Sequence, residues 1–235
     1  MQTIQQFLLI APILLFSVIA HEIAHGWAAL RQGDRTALDA GRLTWNPRPH
    51  IDPFFTILLP IMTIAGSVAA GGRPMIFGGA RPVPVDPRNY RHPRLGDIIV
   101  SLAGVATNAL ILLGCVVLFA LTGALGRAAP ALLATLGVFQ AMCVYGVQLN
   151  ALLIAFNLLP IPPLDGSHVF KYLLPRPLAV QYVRFGRFGF LALIALLAWG
   201  ERILYTWMSP FFAVADRVLS LAQTSLLPTT VQWVR

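Results

Sequence analysis

The stretch Ser17-Val18-Ile19-Ala20-His21-Glu22-Ile23-Ala24-His25-Gly26-Trp27-Ala28-Ala29-Leu30 closes an apolar run that begins near Ile4. About 20 apolar residues suffice for a helix to cross a bilayer, so the run reads as a spanning helix. Yet its second half carries three ionisable side chains. Each costs roughly 2.5–3.5 kcal/mol on insertion scales, and such residues inside a span mark function more often than a polar cluster bonding to neighbouring helices. Residues four apart lie about 6 Å apart along a helix and on one face. His21 and His25 can therefore reach one tetrahedral zinc ion at about 2.0–2.1 Å. Glu22, beside them, is suited to act as general base on a zinc-bound water.

The rest of the chain agrees with a membrane setting. Of its 235 residues 57% are hydrophobic and 11% charged, against about 25% charged in a soluble domain. No charge falls between Asp97 and Arg127, or between Arg127 and Asp165. The net charge of +8 is distributed in a way that argues against nucleic-acid binding. Thirteen of the seventeen Lys and Arg residues lie in three segments, Arg31 to Arg48, Arg73 to Arg94 and Lys171 to Arg187. Clusters beside apolar spans are what the positive-inside rule produces. Cys115 and Cys143 sit in apolar runs, as small buried hydrophobes, and no Cys-x-x-Cys site exists. The N-terminal run lacks a basic n-region and leads straight into His21, so it is not read as a cleaved signal.

About five spanning helices are expected in a polytopic, mainly α bundle: Ile4 to Leu30, Asp97 to Leu121, Leu132 to Asn157, Leu178 to Gly200 and Ile203 to Leu221. Residues 51–70, interrupted by Pro53, Pro60 and Gly66, are expected to enter and leave by one face. Short strands are expected near 41–47, in Gly41-Arg42-Leu43-Thr44-Trp45-Asn46-Pro47, and near 81–85, in Arg81-Pro82-Val83-Pro84-Val85. These extended pieces could pair with an incoming substrate strand, or pack at the membrane interface.

A catalytic zinc takes three protein ligands. Among nine acidic residues, Asp165 is the candidate that borders a membrane helix. It follows Asn157-Leu158-Leu159-Pro160-Ile161-Pro162-Pro163-Leu164 and precedes Gly166. Prolines there free the backbone from helical bonding, which at membrane depth is tolerated only where the chain is buried or lines a cavity. Asn157 is either a helix cap or interhelical donor, or a group that holds the substrate or the developing oxyanion.

His21-Glu22-Ile23-Ala24-His25 together with Asn157 to Gly166 resembles the site-2 protease family of intramembrane zinc metalloproteases. Gly33-Asp34, Gly41-Arg42-Leu43-Thr44, Asn46-Pro47, His50-Ile51-Asp52-Pro53 and Pro82-Val83-Pro84-Val85 resemble its compact bacterial and archaeal branch. Ala103-Gly104 with Asn108 resembles a further family motif, although Val105 stands where a proline is usual. The resemblance covers about His21 to His168. It implies His21, His25 and Asp165 as ligands of one Zn2+ per chain, and Glu22 as the catalytic base. It implies one membrane metalloprotease domain over 1–235, with a catalytic core at about 4–170 and C-terminal helices at about 178–222. There is room for neither a PDZ insertion nor a nucleotide-sensing domain, and no apolar segment precedes the motif helix.

The expected activity is hydrolysis of peptide bonds in membrane-protein substrates. The expected location is the cell membrane, multi-pass, with the active site towards the cytoplasm. The lipid bilayer is a partner and nucleic acid is not; the oligomeric state is left open. An inactive scaffold of the same fold would be expected to have lost Glu22 or a ligand. A metal transporter would carry more His or Asp along its spans. His50 is read as structural, His92 as solvated, and His168 as a support to a ligand rather than a ligand.

Overall fold

The computed structural model describes residues 2–58, 62, 79–230 and 233. The chain is mainly helical: α1 Gln2–Gln32, α2 Thr36–Asp39, α3 Pro93–Ala128, α4 Leu133–Asn157, α5 Asp165–Phe170, α6 Arg176–Phe185, α7 Gly189–Trp199 and α8 Glu201–Leu221. Single 3-10 turns and a π-helical turn at Pro53–Leu58 fill the connections.

Among the described residues, four segments are long and apolar enough to cross a membrane: Gln6–Gln32, Pro93–Ala128, Pro130–Asn157 and Arg176–Trp199. The expected fifth span is not among them. Helix α8 covers the expected span Ile203 to Leu221, but Thr206, Ser209, Asp216, Arg217 and Ser220 leave it less apolar than the other four. The lipid-facing character of α3 is visible in Leu110, Leu113, Val117 and Leu121, exposed at helical spacing. The expected re-entrant course of residues 51–70 falls, beyond Leu58, almost wholly outside the described residues.

The two expected strands are absent: the described residues contain none. After α2, Gly41 adopts a left-handed φ of 64°, open to glycine at little cost, and the Arg42 N–H returns to the Ala37 carbonyl at 2.9 Å. Side chains then take over the backbone. The Thr44 hydroxyl accepts from Asn46 N–H at 3.2 Å, and Asn46 Oδ1 accepts from Arg48 N–H at 3.1 Å. Such local bonds compete with a sheet ladder. Arg81 to Pro84 is extended but has no N–H to give a ladder: Pro82 and Pro84 carry none, Arg81 N–H binds the His50 carbonyl at 2.8 Å, and Val83 N–H is engaged at the site described below.

The chain divides into two compact units, one formed by Val18–Gly104 and the other by Met1–Ser17 with Val105–Arg235. In the larger unit, Phe119 of α3, Val144, Val147 and Ala151 of α4, and Ala215 of α8 share a core. Small residues such as Ala151 and Ala215 suit helix packing in lipid, where close van der Waals approach replaces the hydrophobic effect. Gln140, fully buried on α4, uses its whole amide. Its Nε2 donates to the carbonyls of Phe119 at 3.1 Å and Ser225 at 2.8 Å. Its Oε1 accepts from Leu227 N–H at 2.9 Å and the Thr230 hydroxyl at 2.6 Å. This ties the C-terminal tail to α3 and α4.

In the Val18–Gly104 unit, Ala29, Tyr90 and Val100 form the core. Asp34, just past the end of α1, is fully buried. It accepts from the Thr36 hydroxyl at 2.5 Å and N–H at 3.1 Å, from Asp86 N–H at 2.7 Å, and from Asn89 Nδ2 at 2.9 Å. Burial pushes its carboxyl pKa up, but these hydrogen bonds outweigh it and hold the group below the ordinary range. Arg91 N–H adds a bond to the Gln32 carbonyl at 2.8 Å.

Candidate metal centre

Helix α1 presents His21 and His25 on one face, as an i, i+4 pair must be, with Glu22 beside His21 in the chain. The two imidazoles meet edge to face, with ring centroids 4.6 Å apart and planes at 82°. Their Nε2 atoms are 3.0 Å apart. His25 Nδ1 lies 2.7 Å from the Val100 carbonyl oxygen. A carbonyl can only accept, so Nδ1 carries the proton and Nε2 keeps its lone pair. That is the tautomer a metal ligand uses.

These residues fit a zinc ion. Tetrahedral zinc with bonds of about 2.0–2.1 Å sets two ligand nitrogens about 3.3 Å apart, close to the 3.0 Å observed. Gly104 of α3 leaves the room: a Cβ there would stand 2.6 Å from the Nε2 atoms of both His21 and His25.

Glu22 Oε2 accepts the Val83 N–H at 2.7 Å. Gly26, one turn on, lets the neighbouring segments pack against the helix, since a Cβ there would lie 3.1 Å from Val83 Cγ1 and from the Ala37 methyl. In the extended Arg81–Val85 segment the N–H groups of Arg81 and Val83 are thus spent on His50 and Glu22, and Pro82 and Pro84 have none.

Asp165 and Asn157 belong to the other unit. Asp165, half-buried, opens α5 after the Leu158–Leu164 loop. Gly166 is needed for the tight return of that loop, because a Cβ would fall 2.8 Å from the Leu159 carbonyl oxygen and still nearer to that of Leu158. Tyr182 OH donates to the Pro160 carbonyl at 3.1 Å, and Trp207 Nε1 to that of Ala155 at 2.7 Å, so α6 and α8 hold the loop and the end of α4. Asn157, the last residue of α4, donates from Nδ2 to the Leu153 carbonyl one turn back at 2.9 Å. His168 lies on α5, one turn after Asp165.

His50 is buried, with Nε2 2.9 Å from the Thr44 carbonyl, and His92 is exposed; both were expected. The partners of the site escaped sequence reading: the carbonyl of Val100, the N–H of Val83 and the space at Gly104. Only the Pro82-Val83-Pro84 pattern carried a hint, since it leaves a single N–H that must find an acceptor.

The family model described as Peptidase family M50 matches residues 121–197, a range that holds Asn157 and Asp165 but not His21, Glu22 or His25. The chain is 35% identical over 217 residues to the Bacillus subtilis (strain 168) protein named "Putative zinc metalloprotease YwhC", covering 92% of this chain and 91% of the relative. It is 30% identical over 220 residues to "Putative zinc metalloprotease Rip2" of Mycolicibacterium smegmatis, covering 91% and 78%. No solved structure gave a significant match.

Proposed function

This chain belongs to peptidase family M50, the site-2 proteases, and we propose that it hydrolyses peptide bonds of membrane-spanning proteins with His21, Glu22, His25 and Asp165. Its apolar helices make it a multi-pass membrane protein, and its relatives carry the name zinc metalloprotease. The observation that carries the reading is the convergence of the His21 and His25 Nε2 atoms at 3.0 Å on the helix that also bears Glu22.

In this reading His21, His25 and Asp165 hold one zinc ion per chain, which acidifies water towards neutral pH and polarises the scissile carbonyl. Glu22 takes a proton from the attacking water as its oxygen bonds to the carbonyl carbon. When the C–N bond breaks, Glu22 returns that proton to the leaving amine, and a carboxylate and an amine result. One carboxylate oxygen is anchored by the Val83 N–H, which leaves the other for this exchange. Asn157 and backbone amides hold the substrate, whose helix must unwind first because its amides are internally satisfied. The arginine-rich segments beside α1 and α3 argue that the centre lies towards the cytoplasmic side.

The test compares membranes holding the wild type with membranes holding Glu22→Gln, and assays the purified proteins for zinc. Glu22→Gln keeps its zinc, loses activity by about 10²–10⁴-fold and accumulates uncleaved membrane proteins. His21→Ala, His25→Ala and Asp165→Ala each lose the metal. Cleavage by Glu22→Gln at the wild-type rate ends this reading.

A further inference from the structure

We infer that Arg42 is a positioning residue for Glu22, acting through the backbone of Arg81-Pro82-Val83; the inference rests on Glu22 being the general base. Arg42 is 7% exposed, a rare state for a cation that makes no close ion pair among the described residues. Its Nη2 donates to the Arg81 carbonyl at 2.7 Å. Two residues along the same extended segment, the Val83 N–H donates to Glu22 Oε2 at 2.7 Å. Pro82 between them fixes φ and has no N–H, so the segment is a short stiff link with the guanidinium at one end and the carboxylate at the other. No other hydrogen bond of this link to the helix is needed to transmit a shift.

Charge supports the same arrangement. Burial and the neighbouring Arg81 depress the Arg42 pKa, while the Glu22 carboxylate opposes them. The guanidinium therefore lies within electrostatic reach of the base. Arg42 Nε is buried without a hydrogen-bond partner among the described residues, so holding the side chain in this place carries a desolvation cost. The short turn after α2 supplies the placement, because the Arg42 N–H is fixed to Ala37 O at 2.9 Å. Next along the chain, Leu43 packs close to Gly26 on the helix that carries Glu22.

Hydrogen exchange of the Val83 amide tests the link without needing a substrate. Pro82 and Pro84 have no amide, so a fragment spanning 82–84 reports Val83 alone. In the full-length protein in detergent, Arg42→Gln is expected to speed that exchange about ten-fold or more, with zinc content and α1 protection at wild-type levels. On fluorescein-labelled casein, kcat falls about ten-fold while KM stays within about two-fold. Arg42→Lys keeps a donor for the Arg81 carbonyl and recovers most of both. Val83 exchange unchanged in Arg42→Gln, or as fast in Arg42→Lys as in Arg42→Gln, overturns the inference. If the glutamine variant fails to fold, the lysine variant decides alone: slow exchange supports the link and fast exchange ends it. Casein cleavage by Glu22→Gln at the wild-type rate would instead remove the general-base reading and leave the exchange result standing.

Discussion

Asn89 donates a hydrogen bond from Nδ2 to the Asp34 carboxylate at 2.9 Å, across 55 residues of chain. Two groups in direct contact cannot face opposite sides of a bilayer. The chain that leaves α1 at Gln32 has therefore returned to the same face by Asn89, whatever course it takes between. Reporter fusions at Asp39 and Asn89 are expected on one side, and the positive-inside rule makes that side the cytoplasm. Reporters on opposite sides, or labelling of cysteines at positions 35 and 88 by an impermeant reagent in intact cells, would contradict this. The same-face return is also what the proposed centre requires.

The pH dependence of this junction follows from Asp34. Its folded pKa is depressed, so its stabilisation is complete above the unfolded carboxyl value of about 3.9 and is lost as pH falls through the lower folded value. Thermal unfolding followed from pH 7 to pH 3 should show a loss of stability below about pH 4. Asp34→Asn cannot satisfy all the donors and should cost about 2 kcal/mol at neutral pH, while flattening that acid limb. A variant that melts like the wild type throughout would show that the junction contributes little.

Gly104→Ala tests the space beside the imidazoles. Its methyl group would meet the Nε2 atoms of His21 and His25 at 2.6 Å, well inside van der Waals contact. The expected outcome is loss of bound zinc and of activity with helical content retained, since alanine is otherwise favourable in a helix. Metal analysis and circular dichroism on the purified variant decide it, and a zinc-loaded, active Gly104→Ala protein would mean the site lies elsewhere.

What the sequence determined by itself is what depends on local spacing and hydrophobicity. Apolar length marked α1, α3 and α4, and the i, i+4 spacing put His21 and His25 on one face. The prolines before Asp165 announced a broken helix end. Two expectations failed because they treated segments in isolation. Gly41 to Pro47 and Arg81 to Val85 have strand-like composition, but a strand needs a partner ladder, and the N–H groups of Arg42, Asn46, Arg81 and Val83 are instead bound to Ala37, Thr44, His50 and Glu22. The α8 segment holds enough apolar residues to read as a span, yet its interspersed polar residues and the Asp216-Arg217 pair leave it outside the spanning set. Tertiary structure alone decided which group meets which across long sequence separations. Val83 anchors Glu22 at a separation of 61 residues and Val100 orients His25 at 75. Such bonds join a backbone atom, which has no residue identity, to a side chain far away in sequence, so no motif spacing encodes them.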